Sequence, residues 1–316
     1  MRALMSEALS WNSYPAYLEK TYGYRIWRVG VDAGFSCPNR KADRSGGCVY
    51  CDALGATAAY QRTYDGTAGR TADILKQINR GREFMIRRYK AEHFALYFQA
   101  FSNTFAPVGV LKQIYDSSLE GNEWDQLIVS TRPDCIDHEK AELLASYKQR
   151  GLEVCVELGL QSGCDRILSA MNRGHNVKCF LDASKIVKDA GLELCVHTLL
   201  GFPGEGEAEL EMTANAFNQS KAGFIKIHNL NVVKDTPLFV NYLEGKADAP
   251  DVNSYIRSVA FLLRRIRPEA VVERLMCETP STRLVSPTDF PDKNSFIRML
   301  DSYMKENGYY QGELYK

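Results

Sequence analysis

A chain of 316 residues with 45% hydrophobic and 25% charged side chains has an ordinary globular composition and enough length for one large core. Its 39 lysines and arginines balance 39 aspartates and glutamates, so no overall basic field advertises nucleic-acid binding. No apolar run of about 18 residues appears, and the opening MRALMSEALSWNSYP lacks the basic start, apolar stretch and small-residue cleavage site of a secretory signal. Nine cysteines are too few for a secreted disulfide scaffold and odd in number, which fits a reducing compartment. The expectation is a cytoplasmic protein with no membrane partner.

Along the chain, short apolar runs alternate with amphipathic ones. Strand candidates lie at residues 26–32, 94–98, 126–130, 153–158, 193–199 and 224–229. They are short, rich in Val, Ile, Leu and Phe, and bounded by polar residues or glycine, as buried parallel strands are. Helical spacing recurs between them, as in Ile74, Leu75, Ile78, Met85, Ile86 and Tyr89, and again in Val177, Phe180, Leu181, Ser184 and Val187. Repeated right-handed crossovers of this kind predict an α/β fold: a partial (β/α)6 TIM-type barrel of parallel strands, with functional loops at the C-terminal strand ends. The unusual segments do follow the strands, in the order CPNR, QAFSNT, TRPD, LGLQSG, LGFPGE and LNVVKDT. Further on come a helix around 254–266, a strand candidate at 270–275 and a terminal helix around 292–307. The chain therefore reads as a barrel domain with an N-terminal helix over 1–235 and a C-terminal α/β extension over 236–316. The extension packs on the open side of the barrel as part of a single structural unit.

Chemistry concentrates in GFSCPNRKADRSGGCVYCD, which holds Cys37, Cys48 and Cys51. Three thiolates on a 4Fe-4S cluster leave one iron free for a substrate or cofactor. A C-x2-C pair is also half of a structural zinc site, but such sites close with four ligands and no second pair exists here. Inert buried thiols are the third reading, against which Cys48 and Cys51 sit in loop-forming sequence with Gly46, Gly47 and Asp52. The other cysteines, at 135, 155, 164, 179, 195 and 277, show no paired spacing and default to packing, although a thiol near a substrate radical is able to donate hydrogen. Two basic groups stand out: Arg80, Arg82, Arg87, Arg88 and Lys90 on one helix, and Arg264, Arg265 and Arg267 on another. Each is a solvated helix face or a phosphate-contacting patch.

Together, WRVGVDAGFSCPNR with GGCVYC, YFQAFSNT, STRPDCID, VELGLQS followed by MNRGHN, HTLLGFPGE and IKIHNLNVVKDTPL resemble the radical S-adenosylmethionine (SAM) superfamily. Within it they resemble the Elongator-like branch and its YhcC/YtqA family. The C-x10-C-x2-C spacing departs from the superfamily's common C-x3-C-x2-C, and a long first gap is characteristic of this branch. The resemblance implies a 4Fe-4S cluster on Cys37, Cys48 and Cys51 whose free iron takes the amino and carboxylate groups of SAM. It also implies reductive cleavage of SAM to a 5'-deoxyadenosyl radical and a reductant such as flavodoxin or ferredoxin as partner.

By the same resemblance Tyr50 lies near the adenine, and Glu157, Gln161 and Ser162 meet the ribose and neighbouring polar atoms. Arg173 grips the SAM carboxylate, since a guanidinium offers two parallel hydrogen bonds. Leu199 and Gly201, in the segment that also holds Glu205, wall the adenine, and Asn229 with the residues after it supplies contacts to the adenine edge. Asn103 or Thr104 replaces the Gly-Gly-Glu turn that binds the SAM amino group in many members. Arg132, His197 and Lys234 each carry either a cavity role or a structural one.

For the substrate, the resemblance implies the wobble uridine of tRNA and maturation of its carboxymethylaminomethyl side chain to aminomethyl. Tyr309, Tyr310 and Tyr315 are candidate stacking faces for bases. The alternatives are radical modification of a peptide or small metabolite, and a non-catalytic iron-sulfur or zinc sensor.

Overall fold

The computed structural model describes residues 9–41, 46–51, 70–99 and 101–316; the middle of the cysteine loop at 42–45, Asp52 and Ala100 lie outside the described residues. One parallel sheet takes its strands in sequence order: β1 (Ile26–Val31), β2 (His93–Phe98), β3 (Gln126–Thr131), β4 (Glu153–Gln161), β5 (Glu193–Leu200), β6 (Phe224–Asn229) and β8 (Val271–Arg274). A separate antiparallel ribbon pairs β7 (Val232–Val233) with β9 (Leu284–Ser286). The seven strands curl into a half-barrel with the helices outside. These are α2 (Arg70–Tyr89), α3 (Val108–Leu119), α4 (His138–Ser146), α5 (Asp165–Ala170), α6 (Val177–Asp189), α7 (Glu207–Ser220), α8 (Pro237–Leu243), α9 (Val252–Arg265) and α10 (Lys293–Glu306). No described helix is long and apolar enough to cross a membrane.

The expected six-strand barrel thus gains a seventh strand from the segment expected to cover its open side. Val271 packs with Cys195 and Phe224, while its neighbour Val272 joins the large core under the helices, so both faces of this short strand are apolar at its start. β1 stops one residue before its expected end because Gln77 on α2 captures the backbone of Asp32, accepting its N–H at 2.8 Å and donating to its carbonyl at 2.9 Å.

Strand periodicity explains the interior. Successive side chains alternate between the two faces of a strand. Facing the helices are Val29, Val31, Leu96, Phe98, Leu127, Val129, Val154, Val156, Leu194, Val196, Ile225 and Ile227, all fully or almost fully buried. The inward positions form layers. At the N-terminal end, Ile26, Ala95, Cys155, Cys195, Phe224 and Val271 make an apolar floor plugged by Tyr14, Tyr17 and Leu18 of α1 (Tyr14–Tyr22).

One level higher the interior turns polar: Arg28, Tyr97, Glu157, His197, Lys226 and Glu273. Glu157 is the hub, receiving Lys226 at 2.5 Å, the Tyr97 hydroxyl at 2.7 Å, His197 Nε2 at 2.7 Å and Arg28 at 3.5 Å. Arg28 also reaches Glu273 at 2.6 Å, which ties β1 to β8 across the two sheet edges. The N-terminal segment adds a backbone link between the same regions, Val272 donating to the Asn12 carbonyl at 2.8 Å.

Burial works against the Glu157 charge, but Lys226, His197 and Arg28 outweigh it and hold the carboxyl well below the usual carboxylate range. Removing one partner from such a buried pair leaves a charge without compensation. Lys226→Met is therefore expected to lower stability by about 3–5 kcal/mol, read as an earlier urea midpoint. Adding Glu157→Gln to it should recover part of that loss; an equal or larger deficit in the double variant would contradict the pairing.

Candidate functional site

The loop after β1 is shaped by turns and side-chain anchors. Asp32 accepts the Gly34 N–H at 2.8 Å, and the Cys37 carbonyl accepts the Arg40 N–H at 2.9 Å. Arg40 and Gly46 then form an antiparallel bridge, and the Cys48 carbonyl accepts the Cys51 N–H at 3.0 Å, closing the C-x2-C turn. The loop docks on the turn after α5: Asn39 Nδ2 donates to the Asn172 carbonyl at 2.5 Å, Asn172 Nδ2 to the Gly47 carbonyl at 2.8 Å, and the Val49 N–H to the Met171 carbonyl at 3.0 Å.

Guanidiniums surround the thiols. Arg40 lies 3.0 Å from the Cys51 sulfur and Arg173 lies 3.6 Å from that of Cys48, while Arg132 feels both Cys37 and Cys48. Burial opposes the Cys48 thiolate, yet Arg173 and Arg132 prevail and lower its pKa. Burial wins at Cys51, whose thiol is raised despite Arg40, with Cys48 and Cys37 adding to the rise. Cys135, also within reach of Cys37, is pushed up to about 12 by burial and stays a thiol.

Among the described residues, Arg132 Nη1 and Arg173 Nε are buried beside this loop without a partner, and Tyr50 Oη and Ser102 Oγ face only the Cys48 and Cys135 thiols. An unsatisfied buried polar atom costs roughly 1–3 kcal/mol, so such atoms beside three thiols mark a place shaped for a polar, anionic group. Two sulfurs on one zinc lie about 4 Å apart. Among the described residues, the group of three whose ligand atoms lie within 4.8 Å of one another is instead Glu157, Cys195 and His197, where Lys226 already supplies a cation. Three thiols more widely set, with positive charge around them, fit a cluster better than a single ion.

The expected SAM contacts fall into two groups. Tyr50 and Leu199 meet in one apolar patch with Phe202, Met171 and Leu230, and the Tyr50 and Phe202 ring centroids are 5.5 Å apart. Gln161 ends β4 in the left-handed region, φ 71°, a strained geometry for a non-glycine residue of the kind stored at functional sites. Ser162 is buried beside it and accepts the Cys164 N–H at 3.2 Å. Gly159 has no room for a side chain, since a Cβ would stand 2.6 Å from both Arg173 Nη2 and Gln161 Nε2.

The other residues are engaged by the protein itself. Both Glu157 oxygens serve the ion network one level below Gln161. Arg173 bridges the Gly159 carbonyl at 2.9 Å and Cys48. Asn103 ties β2 to β3 through the Ser130 carbonyl, to which its Nδ2 donates at 2.9 Å, and Thr104 meets Thr131 at 2.7 Å. Asn229 holds Asn231 at 2.7 Å and the Cys277 N–H at 2.9 Å.

At Gly201, φ 96°, Pro250 fills the space over the Cα. Arg132 makes a two-pronged pair with Asp134 at 2.8 and 2.9 Å, and Lys234 donates to the Thr282 carbonyl at 3.0 Å. His197, pushed down by burial against the pull of Glu157, is a neutral imidazole donating to that carboxylate. Residues not singled out beforehand now stand in the site: Asn39 and Arg40, inside the quoted CPNR, and Ser102, inside QAFSNT.

A cysteine loop at the C-terminal mouth of a parallel half-barrel defines the class. The chain belongs to the radical SAM superfamily, whose model matches residues 37–217, followed by the Radical_SAM C-terminal domain over 222–306. It is an enzyme of a family that uses a 4Fe-4S cluster and SAM. Protein YhcC of Escherichia coli K12 is 30% identical over 94% of this chain and 93% of that protein. The tRNA uridine(34) acetyltransferase of Methanocaldococcus infernus is 29% identical over 58% of this chain, which spans 33% of that protein. In fold, the archaeal Methanocaldococcus infernus Elp3 superposes with a TM-score of 0.65 at 17% identity, covering 90% of this chain, which spans 64% of that chain.

Glu205 carries a pH test. Its Oε2 accepts the Gly201 N–H at 2.6 Å, its Oε1 is buried without a partner, and burial raises its pKa to about 7. The folded state therefore holds this proton between the usual carboxylate range and pH 7, and the stability it contributes is lost as pH rises through 7. Glu205→Gln should match the parent at pH 5 and exceed it at pH 8 by roughly 2–3 kcal/mol in urea denaturation. Parallel pH profiles would refute the assignment.

Proposed function

We propose that this enzyme acts on the wobble uridine of tRNA, converting its carboxymethylaminomethyl side chain to aminomethyl. The supporting observation is the likeness to a protein named for tRNA uridine(34), joined to a barrel whose inner face is polar and charged. Removal of a carboxymethyl group from nitrogen suits radical chemistry, because hydrogen taken from the carbon between nitrogen and carboxylate leaves a radical stabilised by both. Loss of one electron from it, with the oxidised cluster as acceptor, would give an iminium, and water would split that into glyoxylate and the aminomethyl group. Loaded on the cysteines, the cluster supplies the electron that splits SAM into methionine and the hydrogen-abstracting radical.

This chain's residues do the rest. Cys37, Cys48 and Cys51 hold the cluster, with Arg40, Arg132 and Arg173 balancing thiolate charge. Tyr50, Leu199 and Phe202 exclude water around the adenine, while Gln161 and Ser162 meet the ribose above the Glu157 network. Asn39 and Asn172 hold the loop in register with β4. Of the two basic helix faces, that of α9 is engaged internally: Arg264 pairs with Glu313 at 2.8 Å, Arg265 with Glu211 at 3.0 Å, and Arg267 with Glu269 at 3.3 Å. Tyr309 lies under Arg264, and Arg82 of α2 donates to the Glu123 carbonyl at 3.1 Å, so among the described residues the exposed Arg87 and Arg88 of α2, with Tyr310 and Tyr315, are the surfaces offered to nucleic acid.

Anaerobically reconstituted protein given SAM and dithionite should form 5'-deoxyadenosine, and Cys48→Ala should abolish it. For the substrate, nucleoside mass spectrometry of tRNA from a strain lacking the gene should show carboxymethylaminomethyluridine accumulating at the expense of the aminomethyl form. An unchanged wobble uridine, with deoxyadenosine still formed in vitro, would redirect the enzyme toward a peptide or small-molecule substrate.

A further inference from the structure

Where β8 pairs with β6, Ile225 faces Val272 but Lys226 faces Arg274, so Glu273 is an extra residue in the register. Such a bulge breaks the in-out alternation and can turn two consecutive side chains to one face, a device common beside functional sites. Glu273 points inward, since it meets Arg28 and Lys226. Arg274 points inward too, since it stands opposite the inward Lys226 in the register, and its charge bears on Tyr97, His197 and His228 from β2, β5 and β6.

The inner face therefore carries three cations, Arg28, Lys226 and Arg274, against two carboxylates, Glu157 and Glu273. Arg28 and Lys226 occupy both carboxylates. Among the described residues, Arg274 has no ion pair or side-chain hydrogen bond. His228, which feels the Arg274 charge, stacks on His197 with centroids 5.3 Å apart and 24° between planes, and among the described residues its Nε2 is buried without a partner. Lys293, first residue of α10, lies close enough to feel both Arg274 and Arg28, with Glu278 as the opposing charge nearby.

We propose that Arg274 and His228 Nε2 form an anchor for a carboxylate of the substrate, with Lys293 adding positive charge from the start of α10. The Arg274 fork takes two carboxylate oxygens side by side, and a neutral His228 donates a third hydrogen bond. Burial, Arg274, His197 and Lys226 push His228 well below its ordinary range, outweighing Glu157, as expected where cations gather without enough counter-charge. A carboxylate fits better than a phosphate of a polynucleotide backbone. The anchor lies inside the barrel, where a group at the end of a side chain can enter and a chain continuing in both directions cannot. The inference rests on the reading that a substrate enters this barrel, and it assigns which part of that substrate is held there.

The test is titration calorimetry on the reconstituted, SAM-bound protein. Four probes are used: acetate, inorganic phosphate, and the nucleosides 5-carboxymethylaminomethyluridine and 5-aminomethyluridine. Acetate should bind once per chain and better than phosphate. Arg274→Gln should weaken it roughly tenfold, as loss of a charge-assisted pair does, and Lys293→Gln, at an exposed helix start, roughly threefold. Arg257→Gln, a charge removed from the exposed face of α9, should leave the affinity unchanged.

Equal acetate affinity in Arg274→Gln and the parent, or a preference for phosphate, would overturn the anchor. If acetate shows the Arg274 dependence but the carboxymethylated nucleoside does not compete with it, the anchor stands and the uridine substrate falls. If that nucleoside binds more tightly than the aminomethyl one and Arg274→Gln does not move its affinity, the substrate stands and the anchor falls.

Discussion

The interior of this barrel is organised by one carboxylate. Glu157, wholly removed from water, is reached by Lys226, Arg28, His197 and Tyr97, which come from five different strands counting its own. Taking charges out of water is expensive, and the expense is offset only when every partner is in place. The network therefore demands that the strands keep their register: a slip of one residue would turn Glu157 into the apolar layer beneath the helices and bring Val156 or Leu158 inward. The arrangement also sets a layer of charged and polar side chains inside an otherwise apolar α/β fold.

Loops held by such a frame can be positioned without much secondary structure of their own. The cysteine loop has little regular structure, yet Asn39, Asn172, Val49 and Arg173 fasten it to the end of β4 and the turn after α5. Two of the three thiols have a guanidinium within 3.6 Å, and Arg132 covers the third electrostatically. Arg173 links the two systems, touching the Gly159 carbonyl on one side and the Cys48 sulfur on the other. At Cys48 the fixed cations outweigh burial and favour the thiolate, whereas at Cys51 burial prevails over Arg40.

Much of the architecture could be read in advance. The six expected strands are present within a few residues, because runs such as Leu127, Ile128 and Val129 are apolar toward both faces of the sheet and have no alternative to burial. Boundaries moved where a side chain from another element took over the backbone, as Gln77 does at Asp32. The seventh strand was legible as a candidate at 270–275, but its place in this sheet was not, because pairing with β6 depends on contacts far apart in the chain. For the site, the three cysteines, Tyr50, Leu199, Gln161 and Ser162 converge on one mouth. Glu157, Arg173, Asn103 and Asn229 turn out to be engaged by the protein, which spacing along the chain could not reveal, since most of their partners lie far away in sequence, Cys48 being 125 residues from Arg173.

By itself, the order of residues determined the alternation of strand and helix, the thiol trio and the family to which those motifs belong, because periodicity and local spacing are properties of neighbours in the chain. Tertiary structure decided which inward side chains share a layer, how Glu273 and Arg274 come to face the same side of the sheet, and which charges among the described residues are left without a partner. Those outcomes depend on the register between strands and on the Arg28–Glu273 pair that links the edges β1 and β8, and electrostatic balance in a buried space is set by distances across the fold.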